Sequence, residues 1–196
     1  MSKRRVRREK KGVRRERGLS ADEILQLMEE EDHPLLIREV LRLLRLPKDQ
    51  RQRVREIFTD LADEGKIVKI RGNRYGLPVK MNLVVGRVRC HPDGYGFVIP
   101  EREGEQDIFV SPRNLKEAMH GDRVVARVES IRKKGREGSI IRILERGYNK
   151  IVGKFMRGKS YSYVIPEDER IIQEVLIPEG ETKRARPNQI VVAEIT

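Results

Sequence analysis

Residues 86–110 read GRVRCHPDGYGFVIPEREGEQDIFV, and the spacing of their aromatic side chains decides the fold. Side chains two apart on a strand share a face, so Tyr95, Phe97 and Ile99 are expected on one side and Val98 on the other. Glycines at 94 and 96 keep the approach to that face clear. After a charged turn, Asp107 to Val110 repeats the pattern: Ile108 and Val110 suit a core, while Phe109 is free to join Tyr95 and Phe97. Three rings beside Arg87 and Arg89 suit the unstacked bases of a single strand, where each stack is typically worth ~1–3 kcal/mol. The same alternation also fits a buried aromatic core, because aromatics in strands usually pack. An aromatic content of only 5%, most of it in such strands, favours the open platform.

The balance of charge points to a polyanionic partner. The 196 residues carry a formal net charge of +12, with 38% charged against 37% hydrophobic residues, which fits small domains with much surface. Much of the charge is local: residues 1–18 hold ten Lys or Arg against Glu9 and Glu16. With only Val6 and Val13 as sizeable apolar side chains, that stretch is expected to be a disordered basic tail that grips phosphates without reading sequence, or that merely aids solubility. A single cysteine, Cys90, excludes an internal disulfide. No run approaches the ~18 apolar residues of a membrane span, and no apolar segment follows the basic start. No membrane association and a cytoplasmic location are the expectation.

Residues 19–78 are expected to form a winged helix-turn-helix domain. Ser20 and Glu23 make a capping box and Leu19 with Ile24 its staple, so a helix should run to about Glu31. Pro34 is expected at the first position of a second helix, with Leu36, Ile37, Val40, Leu41 and Leu44 as its buried stripe and Arg38, Arg42 and Arg45 off it. Lys48 or Asp49 opens a third, which turns Val54, Ile57, Phe58, Leu61 and Ala62 to the core and closes at Gly65. A hairpin about Gly72-Asn73 would be the wing. Arg51, Arg53 and Arg55 on the third helix, and Arg71 and Arg74 at the wing tip, are candidate nucleic-acid contacts. The alternative is a solvated face on a spacer or protein-contact domain, since Asp60, Asp63 and Glu64 dilute the same helix.

After a short linker at 78–82, residues 82–147 spell five strands of an oligonucleotide-binding barrel: 84–89, 94–100, 106–110, 124–131 and 139–144, with a helical turn at 113–119. Lys133, Lys134 and Arg136 are expected in the loop between the last two strands, where they would wrap RNA. A second copy follows at 149–196. Gly153-Lys154-Phe155 echoes Gly86-Arg87-Val88, Tyr161 to Glu167 echoes Tyr95 to Glu101, and Val191 to Ile195 echoes Val124 to Val128, at an offset of 66 or 67 residues. Tyr161, Tyr163 and Lys154 are its candidate contacts, weakened because Ser162 replaces Gly96 and Leu176 stands for Phe109. The repeat supplies four strands of this barrel and not the fifth, so the chain is expected to be the front end of something longer. The fold class is α+β.

GYGFVIP followed by DIFV, and then Met119-His120-Gly121-Asp122-Arg123-Val124, resembles the first cold-shock domain of the ribonuclease R branch of the ribonuclease II exoribonuclease family. A helix-turn-helix domain ahead of two cold-shock domains is similar to that branch as well. The resemblance implies an RNA-binding region that guides single-stranded or structured RNA to a magnesium-dependent 3′ to 5′ nuclease domain, with the ribosome or another ribonucleoprotein as a further partner. It also implies a ring contact to a base from His91. The nuclease aspartates of the family have no counterpart here: Asp93, Asp107 and Asp122 lie in turns about 15 residues apart, so neither catalysis nor a metal or cofactor is expected of this chain. Cys90, His91 and His120 lack zinc-ligand spacing. Two other readings stay open, a stand-alone RNA chaperone of cold-shock type and a winged-helix DNA-binding regulator.

Overall fold

The computed structural model describes residues 19–133 and 135–195. The expected basic tail and Lys134 lie outside the described residues.

Three helices and a hairpin open the chain. Helix α1 (Ala21–Glu30) starts on the expected capping box: Glu23 N–H donates to Ser20 Oγ at 3.2 Å, and Ser20 N–H donates to Glu23 Oε2 at 3.1 Å. Helix α2 spans Ile37–Leu43, and a 3-10 turn at Lys48–Gln50 leads into α3 (Arg51–Asp63). Val54, Ile57, Phe58, Leu61 and Ala62 are all buried, with Ile24, Met28 and Val40 against them. The start of α2 differs from expectation. Pro34 precedes the helix, because Leu35 pairs with Tyr75 through two backbone hydrogen bonds of 2.8 Å and holds the chain extended there. Glu39 caps α2 instead, accepting the Leu36 N–H at 2.8 Å. Strands β1 (Val68–Ile70) and β2 (Arg74–Gly76) form the hairpin, turning through Gly72 and Asn73 with φ of 79° and 55°.

Five strands close the first barrel in the order β3-β4-β5-β7-β6: β3 (Leu83–Cys90), β4 (Gly96–Pro100), β5 (Ile108–Val110), β6 (Arg123–Arg132) and β7 (Gly135–Glu145), with a turn of helix α4 at Pro112–Leu115. Its interior is aliphatic: Val88, Val98, Ile108, Val110, Val124, Ala126 and Ile140 are buried together. β6 and β7 run longer than the sequence pattern indicated, reaching Arg132 and starting again at Gly135.

The helical domain is fastened to this barrel. The expected linker is a 3-10 turn, Pro78–Met81, with Pro78 buried. Val68 of β1 joins Leu83 and Val125 in one buried cluster, flanked by Ile70, Met81, Val85 and Leu144. Polar contacts pin the same seam: Arg142 Nη2 to Asp63 at 2.9 Å, and Arg123 Nη2 to the Glu64 carbonyl at 2.9 Å while its Nε holds Glu101 at 2.6 Å.

The second copy forms an antiparallel sheet, β10-β9-β8-β11, from β8 (Lys150–Arg157), β9 (Ser162–Pro166), β10 (Val175–Ile177) and β11 (Ile190–Glu194). Its register repeats that of the first. Gly86 pairs with Pro100 and Val124, and Gly153 pairs with Pro166 and Val191. A Cβ at Gly86 would strike the Ile99 carbonyl oxygen and lie 2.8 Å from Val98 Cγ1; one at Gly153 would strike the Ile165 carbonyl oxygen and lie 2.6 Å from Val164 Cγ1. Both glycines permit the same close crossing of two strands. The two copies meet through Gln173 Nε2, which donates to the Ala118 carbonyl at 2.9 Å, and through Met119, which packs against the core of the second copy. Only 1% exposed, Asp122 binds Arg146 at 2.9 Å and accepts the N–H groups of Met119 and Gly147.

Candidate nucleic-acid interface

Alternation along β4 and β5 sends Val98, Ile108 and Val110 inward, which leaves Phe97 and Phe109 on the outside as cross-strand partners. Tyr95, just ahead of β4, stands beside them. Ring centroids are 5.9 Å apart for Tyr95 and Phe97, and 5.7 Å for both Tyr95–Phe109 and Phe97–Phe109, all three rings half-buried. With the interior already filled by aliphatic side chains, the cluster is an external platform and not the core. Gly96 permits it, since a Cβ there would meet the Arg89 carbonyl and Leu115 at 3.1 Å.

A fourth ring extends the platform. His91 lies face to face with Tyr95, centroids 4.5 Å apart and planes within 9° of parallel. Its Nδ1 accepts the Asp93 N–H at 3.2 Å, which orients the ring. Arg89 and Arg87 project from β3 beside Phe97 and Ile99, their cross-strand neighbours. Arg89 has no carboxylate partner among the described residues, whereas Arg87 donates to the Gly121 carbonyl at 3.2 Å and faces Glu145 at 3.9 Å. A shallow cavity of about 300 Å³ is lined by Arg89, Cys90, His91, Phe97, Ile99 and Asp107. Asp107, read from the sequence as turn chemistry, therefore borders the platform. Its place one residue before the inward Ile108 was the available signal.

Several expected contacts are engaged elsewhere. Arg136 is not in the β6–β7 loop: it belongs to β7, and its Nη1 binds Glu105 at 2.9 Å and the Gln106 carbonyl at 3.3 Å, tying β7 to the β4–β5 loop. Lys133 is exposed at the ribbon tip. Arg74 is likewise not free at a wing tip, since its Nη1 binds the Pro34 carbonyl at 2.9 Å and Glu39 at 3.3 Å. Arg51, Arg53, Arg55 and Arg71 are exposed, with Arg53 3.8 Å from Glu56. In the second sheet Tyr161 and Tyr163 are 5.9 Å apart and Lys154 is exposed between Ile165 and Ile190. Leu176 pairs with Tyr163 as Phe109 pairs with Phe97, and it is 64% exposed. This platform has two rings where the first has four.

Asp93 and Asp107 are exposed while Asp122 is buried on Arg146, so the three carboxylates do not form a cluster. Among the described residues no group of three His, Cys, Asp or Glu side chains is placed to hold a metal ion. No helix among them is long and apolar enough to cross a membrane. Cys90 and His120 serve the barrel: the Cys90 N–H donates to His120 Nδ1 at 3.2 Å, burial holds the His120 pKa down, and burial pushes the Cys90 thiol up to about 11.

Two family models match the chain, the ribonuclease B OB domain over residues 86–143 and the cold shock domain over residues 163–196. Ribonuclease R of Acidithiobacillus ferrooxidans is 38% identical over 181 residues, 91% of this chain and 41% of that protein. The chain is related to the amino-terminal region of ribonuclease R. Ribonuclease R of Vibrio parahaemolyticus is 35% identical, covering 90% of this chain and 22% of that one; for ribonuclease R of Escherichia coli the values are 33%, 76% and 18%. The chain thus spans between 18% and 41% of the length of these relatives. Solved structures with similarity include Mycoplasma genitalium RNase R in complex with ribose-methylated single-stranded RNA, at 19% identity and TM-score 0.39 over 44% of this chain and 14% of that one. Yeast Ssd1, a pseudonuclease, gives 14% identity and TM-score 0.43 over 68% and 19%.

Proposed function

We propose that the chain is an RNA-binding region of ribonuclease R type, which holds single-stranded RNA on the platform of the first barrel and guides it toward a nuclease domain such as the longer relatives carry. The observation that supports this best is the set of four rings, His91, Tyr95, Phe97 and Phe109, outside a barrel whose interior is already complete. Bases stack on such rings whatever their sequence, and Arg89 supplies charge for the backbone beside them. The second sheet, with Tyr161, Tyr163 and Lys154, continues the track more weakly. In this reading the helical domain is a winged helix, the chain binds RNA in the cytoplasm without cutting it, and magnesium belongs to the nuclease domain.

Titration of a labelled single-stranded RNA with the protein, competed by unlabelled single-stranded RNA or duplex DNA, tests the reading. Single-stranded RNA is expected to displace the label far better than duplex DNA, and the label is expected to stay intact when magnesium is added. Preference for duplex DNA would favour a regulator instead.

A further inference from the structure

The charge of the helical domain is concentrated away from the hairpin. Residues 38–55 hold seven Lys or Arg against Glu39 and Asp49. Arg42, Arg45, Lys48 and Arg51 follow one another along the α2–α3 connection, with Arg38 and Arg55 one helical turn beyond them. All six are exposed, and among the described residues none of them has a carboxylate at ion-pair distance. Arg53, by contrast, faces Glu56, and Glu39 is occupied by Arg74 and the Leu36 N–H. Unpaired like charges repel, so the corner carries an electrostatic cost that a bound polyanion would relieve. The N-terminus of α3 adds its partial positive charge at Arg51.

The form of the polyanion follows from what is missing around these cations. No Phe, Tyr or Trp is available to stack a base: Phe58 and Tyr75 pack edge to face at 4.7 Å inside the core, and the domain's one imidazole, His33, lies between α1 and α2 within 3.7 Å of Glu31. The hairpin adds less: Val68 of β1 packs against the first barrel, Arg74 is tied to Pro34 and Glu39, and Lys69 and Arg71 are its exposed cations. What remains is a surface of exposed cations carried on two helices and their connection, which suits the phosphates of a helix whose bases are hidden. We propose that the α2–α3 corner is a phosphate-binding surface for double-stranded RNA, separate from the stacking platform of the first barrel. It adds a second RNA site to the function proposed above and does not depend on that platform.

The test uses the whole chain with three probes: a blunt RNA duplex two turns long, a DNA duplex of equal length and a single-stranded RNA. The triple variant Arg42→Gln, Lys48→Gln, Arg51→Gln is expected to weaken RNA-duplex binding on the order of 10-fold and to flatten its salt dependence by roughly one unit of slope per lost phosphate contact. Its affinity for single strands stays near wild type, and Phe97→Ala shows the opposite pattern. Should the triple variant melt early, the three single variants carry the same comparison. An unchanged duplex affinity, an equal loss on single strands and duplexes, or no duplex binding by the wild type overturns the proposal. Equal affinity for the DNA duplex overturns the choice of RNA. Failure of the wild type to bind single strands sinks the platform and leaves this surface standing.

Discussion

His91 and Tyr95 lie stacked with their ring centroids 4.5 Å apart, so the edge of the platform is a pair of parallel rings joined before any base arrives. A base added to this stack meets rings already in place, and less side-chain freedom is lost on binding. Tyr95→Ala, Phe97→Ala and Phe109→Ala are each expected to weaken single-stranded RNA binding by about 1–3 kcal/mol, with the melting temperature nearly unchanged. Tyr161→Ala and Tyr163→Ala should cost less, because Leu176 replaces their third ring. Binding isotherms and melting curves decide it: a collapse of the melting temperature with intact affinity would return the rings to a structural role.

Gly86→Ala and Gly153→Ala test the repeated strand crossing. A methyl group at either site meets a carbonyl oxygen on the neighbouring strand, and backbone cannot swing aside as a side chain can. Each substitution is expected to destabilise its own sheet by about 1–3 kcal/mol. Hydrogen exchange locates the loss: in β3 and β4 for the first variant, in β8 and β9 for the second. Loss spread evenly over both sheets would contradict the assignment.

Cys90 is 5% exposed, and its thiol pKa is pushed to about 11 by burial, with the nearby Asp122 adding to the effect. Little thiolate exists below that pH, and the thiolate is the reactive form. Iodoacetamide at mildly alkaline pH should therefore label the folded protein slowly and the guanidinium-unfolded protein fast. Rapid labelling of the folded chain would mean that the first barrel opens readily.

Glu39 has its carboxyl pKa held below the ordinary 4.5 chiefly by the Leu36 N–H it accepts, which outweighs the rise from burial, with a lesser lowering from Arg74. A depressed folded-state pKa contributes stability that is fully present above 4.5 and is lost as the pH falls through the folded value. Glu39→Gln should lower the urea midpoint of the helical domain at neutral pH, and the gap to wild type should close in acid. A gap that stays constant with pH would show that the carboxylate charge plays no part.

The alternating patterns were legible because each depends on a local period. The aromatic face of β4 and β5, the buried stripe of α3 and the capping box of α1 all appear where the residues place them. The second copy was legible for a related reason, since shared register preserves spacing. What could not be read was the partner of each charged side chain. Arg74 and Arg136 look like free cations in the sequence, yet their acceptors stand 35 and 31 residues away at Glu39 and Glu105. The packing of Val68 against Val125 was hidden too, because a three-residue strand shows no sign of which domain covers its second face.

The crossing shared by Gly86 and Gly153 also separates what the two copies share from what they do not. What the two sheets hold in common is inward and geometric: the glycine, the strand register and an apolar layer beneath, in which Phe155 takes the place of Val88. What they do not share is outward, where Phe109 has its counterpart in Leu176 and Arg123 in Ile190. A repeated unit that keeps its register and changes its face gives the two copies different outer surfaces. Placing Phe at position 176, opposite Tyr163, would give the second sheet a third ring from a single substitution.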